Sequence, residues 1–168
     1  MASFTIIGTG NMGTAIASVL TDGGSSVINI AHEQVGTVDG DVVILAVPHP
    51  AVADVLATYG DQLTGKVVVD ITNPVNFETF DGLVVAAGSS FAADLAAKLP
   101  NSTVLKAFNT NFASTLASKK VGDAQTTVLI AGDDAAAKAS LASALEAGGL
   151  SAIDAGSLKR AHELEAIG

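Results

Sequence analysis

The chain has 168 residues, 49% of them hydrophobic and 15% charged, a length and balance that fit one domain over 1–168 and exclude a disordered chain. Cysteine and tryptophan are absent, which removes disulfides, thiolate metal sites and cysteine nucleophiles. Seventeen acids against eight bases give a net charge of −9, a field that repels phosphate backbones and argues against nucleic-acid partners.

Apolar runs of strand length alternate with Ala/Leu-rich stretches of helix length. The predicted strands are Ser3–Ile7, Ser26–Ile30, Asp41–Ala46, Lys66–Ile71, Thr103–Ala107, Thr127–Ala131 and Ser151–Asp154. The predicted helices are Asn11–Thr21, Pro50–Tyr59, Phe91–Leu99, Ala113–Ser118, Asp134–Glu146 and Leu158–Glu165, with a short extended segment at Val84–Ala86. Most strands are continuously apolar, which implies burial on both faces. The pattern predicts an α/β fold, a doubly wound, mostly parallel sheet of Rossmann type. No apolar run approaches the ~18 residues of a membrane span. No basic segment precedes the first strand, so the expected location is the cytoplasm.

One connection is short. Ile30 to Asp41 leaves about ten residues, at the lower limit of ~10–12 for a parallel crossover with its helix. The stretch is polar and glycine-rich, so a loop or a single helical turn is expected. The sheet is then expected to lack a strand and a helix at that edge.

The first strand runs into Gly8-Thr9-Gly10-Asn11-Met12-Gly13 and then into a helix. Each glycine of such a turn has a physical task. Gly8 allows the tight turn, Gly10 lets a pyrophosphate approach the main chain, and Gly13 lets helix and strand pack closely. Residues 1–65 contain no Lys or Arg. An anion bound there must be held by backbone N–H groups and the helix end. The residues after the second strand discriminate between dinucleotides: an acid binds the ribose diol of NAD, a basic group the 2′-phosphate of NADP. The chain offers Ala31, His32 and Glu33. His32 is a candidate phosphate partner and Glu33 a candidate diol partner.

Three more segments close strands: Ala46-Val47-Pro48-His49, Asp70-Ile71-Thr72-Asn73-Pro74 and Lys106-Ala107-Phe108-Asn109-Thr110. Ligands of open parallel sheets bind beyond the carboxyl ends of strands, so these segments are expected to converge on one edge. Together with the glycine turn, Ala131-Gly132-Asp133-Asp134 and Asp154-Ala155-Gly156-Ser157-Leu158, they resemble the deazaflavin-dependent NADP reductases and their small bacterial relatives. The resemblance runs from about residue 3 to the end. It implies that Thr9 to Met12 line the pyrophosphate and that Ala31 and His32 stand where the family has a polar-basic pair. It implies that Ala46, Val47 and Pro48 lie under the cofactor. It also implies that Thr72, Asn73 and Pro74, with Ala107, Phe108 and Asn109, shape the floor and the acceptor site. Relatives suggest a homodimer. The short crossover departs from the larger enzymes and is expected to leave the adenine exposed.

Hydride transfer between two bound rings needs close approach and exclusion of water rather than a protein acid or base, so no catalytic residue is assigned. His49 is the best-placed titratable side chain. Lys106 is either a contact for an anionic acceptor or an edge residue, Asp70 a brace for the loop after its strand, and His162 a surface residue. Ser89 and Ser90 read as caps of the helix through Phe91. No metal-ligand spacing occurs. The sequence therefore predicts an NADP(H)-binding oxidoreductase, with NAD as the alternative nucleotide. Hydride would pass to a flavin, a deazaflavin or a small electrophile. A non-catalytic redox-sensing or regulatory module is the competing reading.

Overall fold

Runs of β-branched residues build a seven-stranded sheet, and alternate residues of each run bury themselves in opposite layers. The computed structural model describes residues 2–31 and 35–168. Its elements are β1 (Ser3–Ile7), α1 (Asn11–Asp22), β2 (Ser26–Ile30), β3 (Val42–Leu45), α2 (Val52–Tyr59), β4 (Val67–Asp70), α3 (Phe91–Lys98), β5 (Thr103–Ala107), α4 (Ala113–Ser118), β6 (Lys120–Val121), β7 (Ala124–Gln125), β8 (Thr127–Gly132), α5 (Ala135–Ala147), β9 (Ser151–Gly156) and α6 (Ala161–Ile167). The strand order is β2-β1-β3-β4-β5-β8-β9.

β3 shows why the strands are continuously apolar. Ile44 packs with Phe4, Ile6, Val69 and Leu105 against Ile16 and Leu20 of α1 and Leu141 and Leu145 of α5. Val43 and Leu45 face the other layer, with Val52, Val55 and Tyr59 of α2 and Leu95 of α3. Both faces are covered, as a doubly wound sheet requires. Each fully buried leucine or isoleucine contributes about 1.5–3 kcal/mol.

The first five strands are mutually parallel, as a mostly parallel sheet requires. β8 pairs with β5 antiparallel, Lys106 opposite Ala131, and β9 then runs parallel to β8. The reversal has a local cause. α4 has only six residues and leads into a β6–β7 hairpin that returns the chain alongside β5. Two expectations are corrected here. The segments 131–134 and 154–158 do close their strands, but on the edge opposite the glycine turn, where the Leu158 N–H donates to Asp133 Oδ1 at 2.9 Å. Val84–Ala86 is not a strand; its neighbour Leu83 makes an isolated bridge to Val75.

Among the described residues β2 is an edge strand and no further strand lies beyond it, as the short crossover predicts. Residues 35–40 of the crossover form neither helix nor strand. They lie tightly over β1: Val38 is buried with the α2 layer, and the Gly40 N–H donates to Thr5 Oγ1 at 2.9 Å. A Cβ at Gly40 would collide with the backbone of Phe4 and Thr5. Among the described residues no helix is long and apolar enough to cross a membrane.

Candidate functional site

The glycine turn separates into two roles. Gly8 has φ 124°, and a side chain there would collide with the carbonyl of Ala46. A side chain at Gly13 would collide with the carbonyl of Gly8. The first and third glycines are therefore demanded by the fold. Gly10 is different: its φ is −71°, and a Cβ would meet nothing within 4 Å. Gly10 is the N-cap of α1, without a side-chain cap and without an acid in the first turn. The first helical bond runs from the Thr14 N–H to Gly10 O, so the amides of residues 11–13 face outward from the open helix end. The helix dipole adds about 0.3–1 kcal/mol for an anion at an exposed site.

This helix end opens into a cleft of about 530 Å³ at the carboxyl edge of β1, β3 and β4. Of the predicted residues, Gly10, Asn11, Met12, Ala46, Val47, Pro48, His49, Thr72 and Asn73 line it. Gly8, Gly13 and Pro74 lie buried behind it, and Thr9 is exposed on the turn. Ala107, Phe108 and Asn109 are buried at the end of the next strand and do not line the cleft. Asn109 supports it from there: its Nδ2 donates to Asn73 Oδ1 at 2.9 Å and to Leu164 O at 2.8 Å, and Asn73 Nδ2 donates to Asn109 O. Ala31 follows β2 half-buried, whereas His32 and Glu33, the predicted discriminators of the nucleotide, lie outside the described residues.

The outer wall was not anticipated. Val75, Phe77 and Phe80 line the cleft from the loop after β4. The two phenyl rings meet edge to face at 6.0 Å and are 53% and 74% exposed. The Asn76 turn presents them, with the Phe80 N–H donating to Asn76 O at 2.7 Å and the Glu78 N–H to Asn76 Oδ1 at 2.9 Å. Phe80 has φ 50°, an uncommon conformation for a bulky residue. The available signal was compositional: two of only six phenylalanines stand three positions apart in a polar loop.

Beneath the cleft lies a buried ionic cluster. Lys106 Nζ stands 2.7 Å from Asp70 Oδ2 and 2.9 Å from Glu165 Oε1, and all three side chains are sealed from solvent. Neither expectation for Lys106 holds: it is no edge residue, and it is not free to meet an acceptor. Asp70 does brace the loop, since Oδ1 accepts the Thr72 N–H at 2.9 Å, and Lys106 donates to the Thr72 carbonyl. Glu165 reaches from α6 to accept the N–H groups of Phe91 and Ala92, at the start of α3. Ser90 caps that helix as predicted, accepting the Ala93 N–H at 3.1 Å. His162 is half-buried rather than at the surface, with Nδ1 2.9 Å from Ser89 O.

Two further polar side chains of the cleft, Thr72 and His49, bear on its chemistry. Thr72 is 4% exposed, and its hydroxyl has no hydrogen-bond partner among the described residues. His49 is half-buried, its ring edge-on to Phe91 at 4.3 Å. Burial pulls its pKa below the ordinary imidazole value; the Asp70 and Glu165 charges oppose that shift without cancelling it. The shift favours the neutral imidazole.

The family model for NADP oxidoreductase, coenzyme F420-dependent, matches residues 29–74, from the end of β2 to the Thr72–Pro74 segment. The crystal structure of a candidate F420-dependent NADP-reductase from Arthrobacter sp. FB24 matches 99% of this chain and 90% of its own, with a TM-score of 0.84 at 25% identity. This chain resembles that family in sequence over residues 29–74 and in fold over nearly its whole length. A structure from Sinorhizobium meliloti is also similar, at TM-score 0.76 and 25% identity over 94% of this chain and 86% of its own. The rat metalloreductase STEAP3 is 31% identical over 180 residues, covering 96% of this chain. The chain spans about a third (35%) of the length of that curated relative.

Proposed function

We propose that this chain binds NADP(H) across the open end of α1 and transfers hydride from it to a flavin, a deazaflavin or a small electrophile in the adjoining cleft. The observation that carries this reading is Gly10. It is a glycine that the fold does not demand, placed where a pyrophosphate needs bare backbone, at the mouth of a 530 Å³ cleft. The residues fit the nucleotide. The amides of residues 11–13 hold the pyrophosphate without help from cationic side chains. Ala46, Val47 and Pro48 form an apolar shelf that keeps water from the reacting face. NADPH, when bound, supplies two electrons and one proton together, as hydride, from C4 of its nicotinamide. The protein's task is to hold donor and acceptor carbons roughly 3–3.5 Å apart in a dry site. No side chain needs to move a proton for that transfer, and neutral His49 is consistent with it.

Similarity to an NADP-dependent family favours NADP over NAD, and Ala31 and His32 are the residues assigned to the 2′-phosphate. The test is a titration of NADPH and NADH, followed by NADPH absorbance in the presence of flavins and quinones. Tighter binding of NADPH and its oxidation by at least one acceptor are expected. Binding without oxidation by any acceptor would instead support the redox-sensing module.

Thr72 has a specific place in this reading. Its main chain is fixed on both sides by Asp70 and Lys106, while its hydroxyl has no partner among the described residues. A buried unpartnered hydroxyl is costly until a ligand satisfies it. The hydroxyl is assigned to a polar substituent of the nicotinamide. Thr72→Val keeps the shape and removes the donor. NADPH affinity is expected to fall about tenfold, the ~1.4 kcal/mol of one net hydrogen bond. Affinity for 2′,5′-ADP, which lacks the nicotinamide, should stay unchanged, and Thr72→Ser should restore NADPH binding. Calorimetric titration of both ligands separates this from a general loss of the fold.

A further inference from the structure

We propose that the acceptor is a flat, uncharged ring system that stacks on the wall formed by Phe77 and Phe80, and that acceptors carrying phosphate or carboxylate tails are disfavoured. The inference rests on the dinucleotide reading above and adds the acceptor's chemical class.

The first observation is the wall itself. Phenyl rings prefer to meet other rings or apolar surface, yet these two line the cleft at 53% and 74% exposure. They are not loosely hung. The Asn76 turn holds them, and Phe80 keeps a left-handed backbone that a bulky side chain rarely adopts. Strained backbone held by its surroundings is a feature of ligand-facing loops. The wall lines the same cleft as Gly10 and Met12. A dinucleotide leaving the α1 end therefore enters the cleft that the wall borders.

The second observation is charge. Among the described residues no Lys or Arg lines the cleft. The same loop carries two exposed acids, Glu78 and Asp81. Behind Thr72 the buried cluster holds two carboxylates against one ammonium, and that ammonium is fully engaged. Lys98, exposed at the end of α3, is the one further cation felt at His49. The whole chain carries −9. An anionic tail would meet acids and no partner, whereas an uncharged ring loses nothing to this field.

The chemistry balances with water as the only further reactant. A hydride, two electrons and one proton, passes from C4 of the reduced nicotinamide to the acceptor ring. The nicotinamide is left oxidised, and a second proton comes from water to complete the reduced acceptor.

Riboflavin, FMN and FAD share one ring and differ in charge, so they are the probes. Quenching of flavin fluorescence is measured on the wild-type protein saturated with NADP⁺, which binds without turnover. Riboflavin is expected to bind about tenfold more tightly than FMN or FAD, and the gap should narrow as salt screens the acids. Phe77→Ala/Phe80→Ala should lower riboflavin affinity about tenfold while NADPH still binds and the thermal midpoint holds. Glu78→Lys/Asp81→Lys should bring FMN up to the affinity of riboflavin. FMN binding as tightly as riboflavin to the wild-type protein, or riboflavin affinity unmoved by loss of both rings, overturns the proposal. Failure of NADPH itself to bind wild-type protein would instead refute the dinucleotide reading beneath it.

Discussion

Gly10→Val is expected to reduce NADP(H) affinity by about 100-fold or more, about 2.7 kcal/mol, in a protein that still folds. The structure separates these two effects. Gly10 sits at φ −71°, which valine adopts without strain, and its missing side chain points into open space. The cost to the fold is a poorer N-cap for α1, about 1 kcal/mol, or a thermal shift of about 2–4 °C. The cost to the ligand is steric: a branched side chain occupies the volume through which a pyrophosphate reaches the amides of residues 11–13. Gly8→Ala and Gly13→Ala supply the contrast. Both place a Cβ against a backbone carbonyl that cannot retreat, and Gly8 also has φ 124°. Those two variants should lose stability first and binding only as a consequence. Thermal melts and NADPH titrations on the three proteins give the comparison. Unchanged affinity in folded Gly10→Val would remove the pyrophosphate from this turn.

The parts of this molecule that were legible in the sequence are those set by local chemistry. The glycine turn, the strand-closing Pro48 and Pro74, the Ser90 cap and the short crossover each express a constraint acting within a few residues. The direction of β8 was not legible. A run such as Thr127–Gly132 is equally apolar read either way, and the hairpin that reverses it is four paired residues, all exposed. The outer cleft wall escaped for a related reason: Phe77 and Phe80 belong to no periodic element, so pattern reading passes over them. The ionic cluster was half visible. Asp70 and Lys106 end adjacent strands and are direct neighbours in register. Pairing the two predicted strands would have brought them together. Nothing local marks Glu165, whose place depends on how α6 folds back onto α3.

That cluster gives the largest expected effect on stability. Lys106→Met should destabilise the protein by about 3–5 kcal/mol, because it leaves two carboxylates without their shared cation in a site sealed from water. The thermal midpoint should fall by roughly 10 °C for a chain of this size. Methionine matches the hydrocarbon stem, so lost packing contributes little. Asp70→Asn/Lys106→Met tests the electrostatic origin. It removes one of the two stranded charges while an amide oxygen at position 70 can still accept the Thr72 N–H, so part of the loss should return. Lys159→Met, at an exposed position, should change stability by about 0.5 kcal/mol or less. The cluster also reaches the site. Lys106 donates to the Thr72 carbonyl, so Lys106→Met should release the Thr72 hydroxyl from its fixed place. NADPH affinity should then fall while 2′,5′-ADP affinity holds, the same split as Thr72→Val but transmitted from a residue that touches no ligand. Urea unfolding of the four proteins, with both nucleotides titrated, measures the two consequences together. If Lys106→Met unfolds no more easily than Lys159→Met, the buried ion pairs do not hold the strand ends in place. The positioning of Thr72 must then come from the backbone alone.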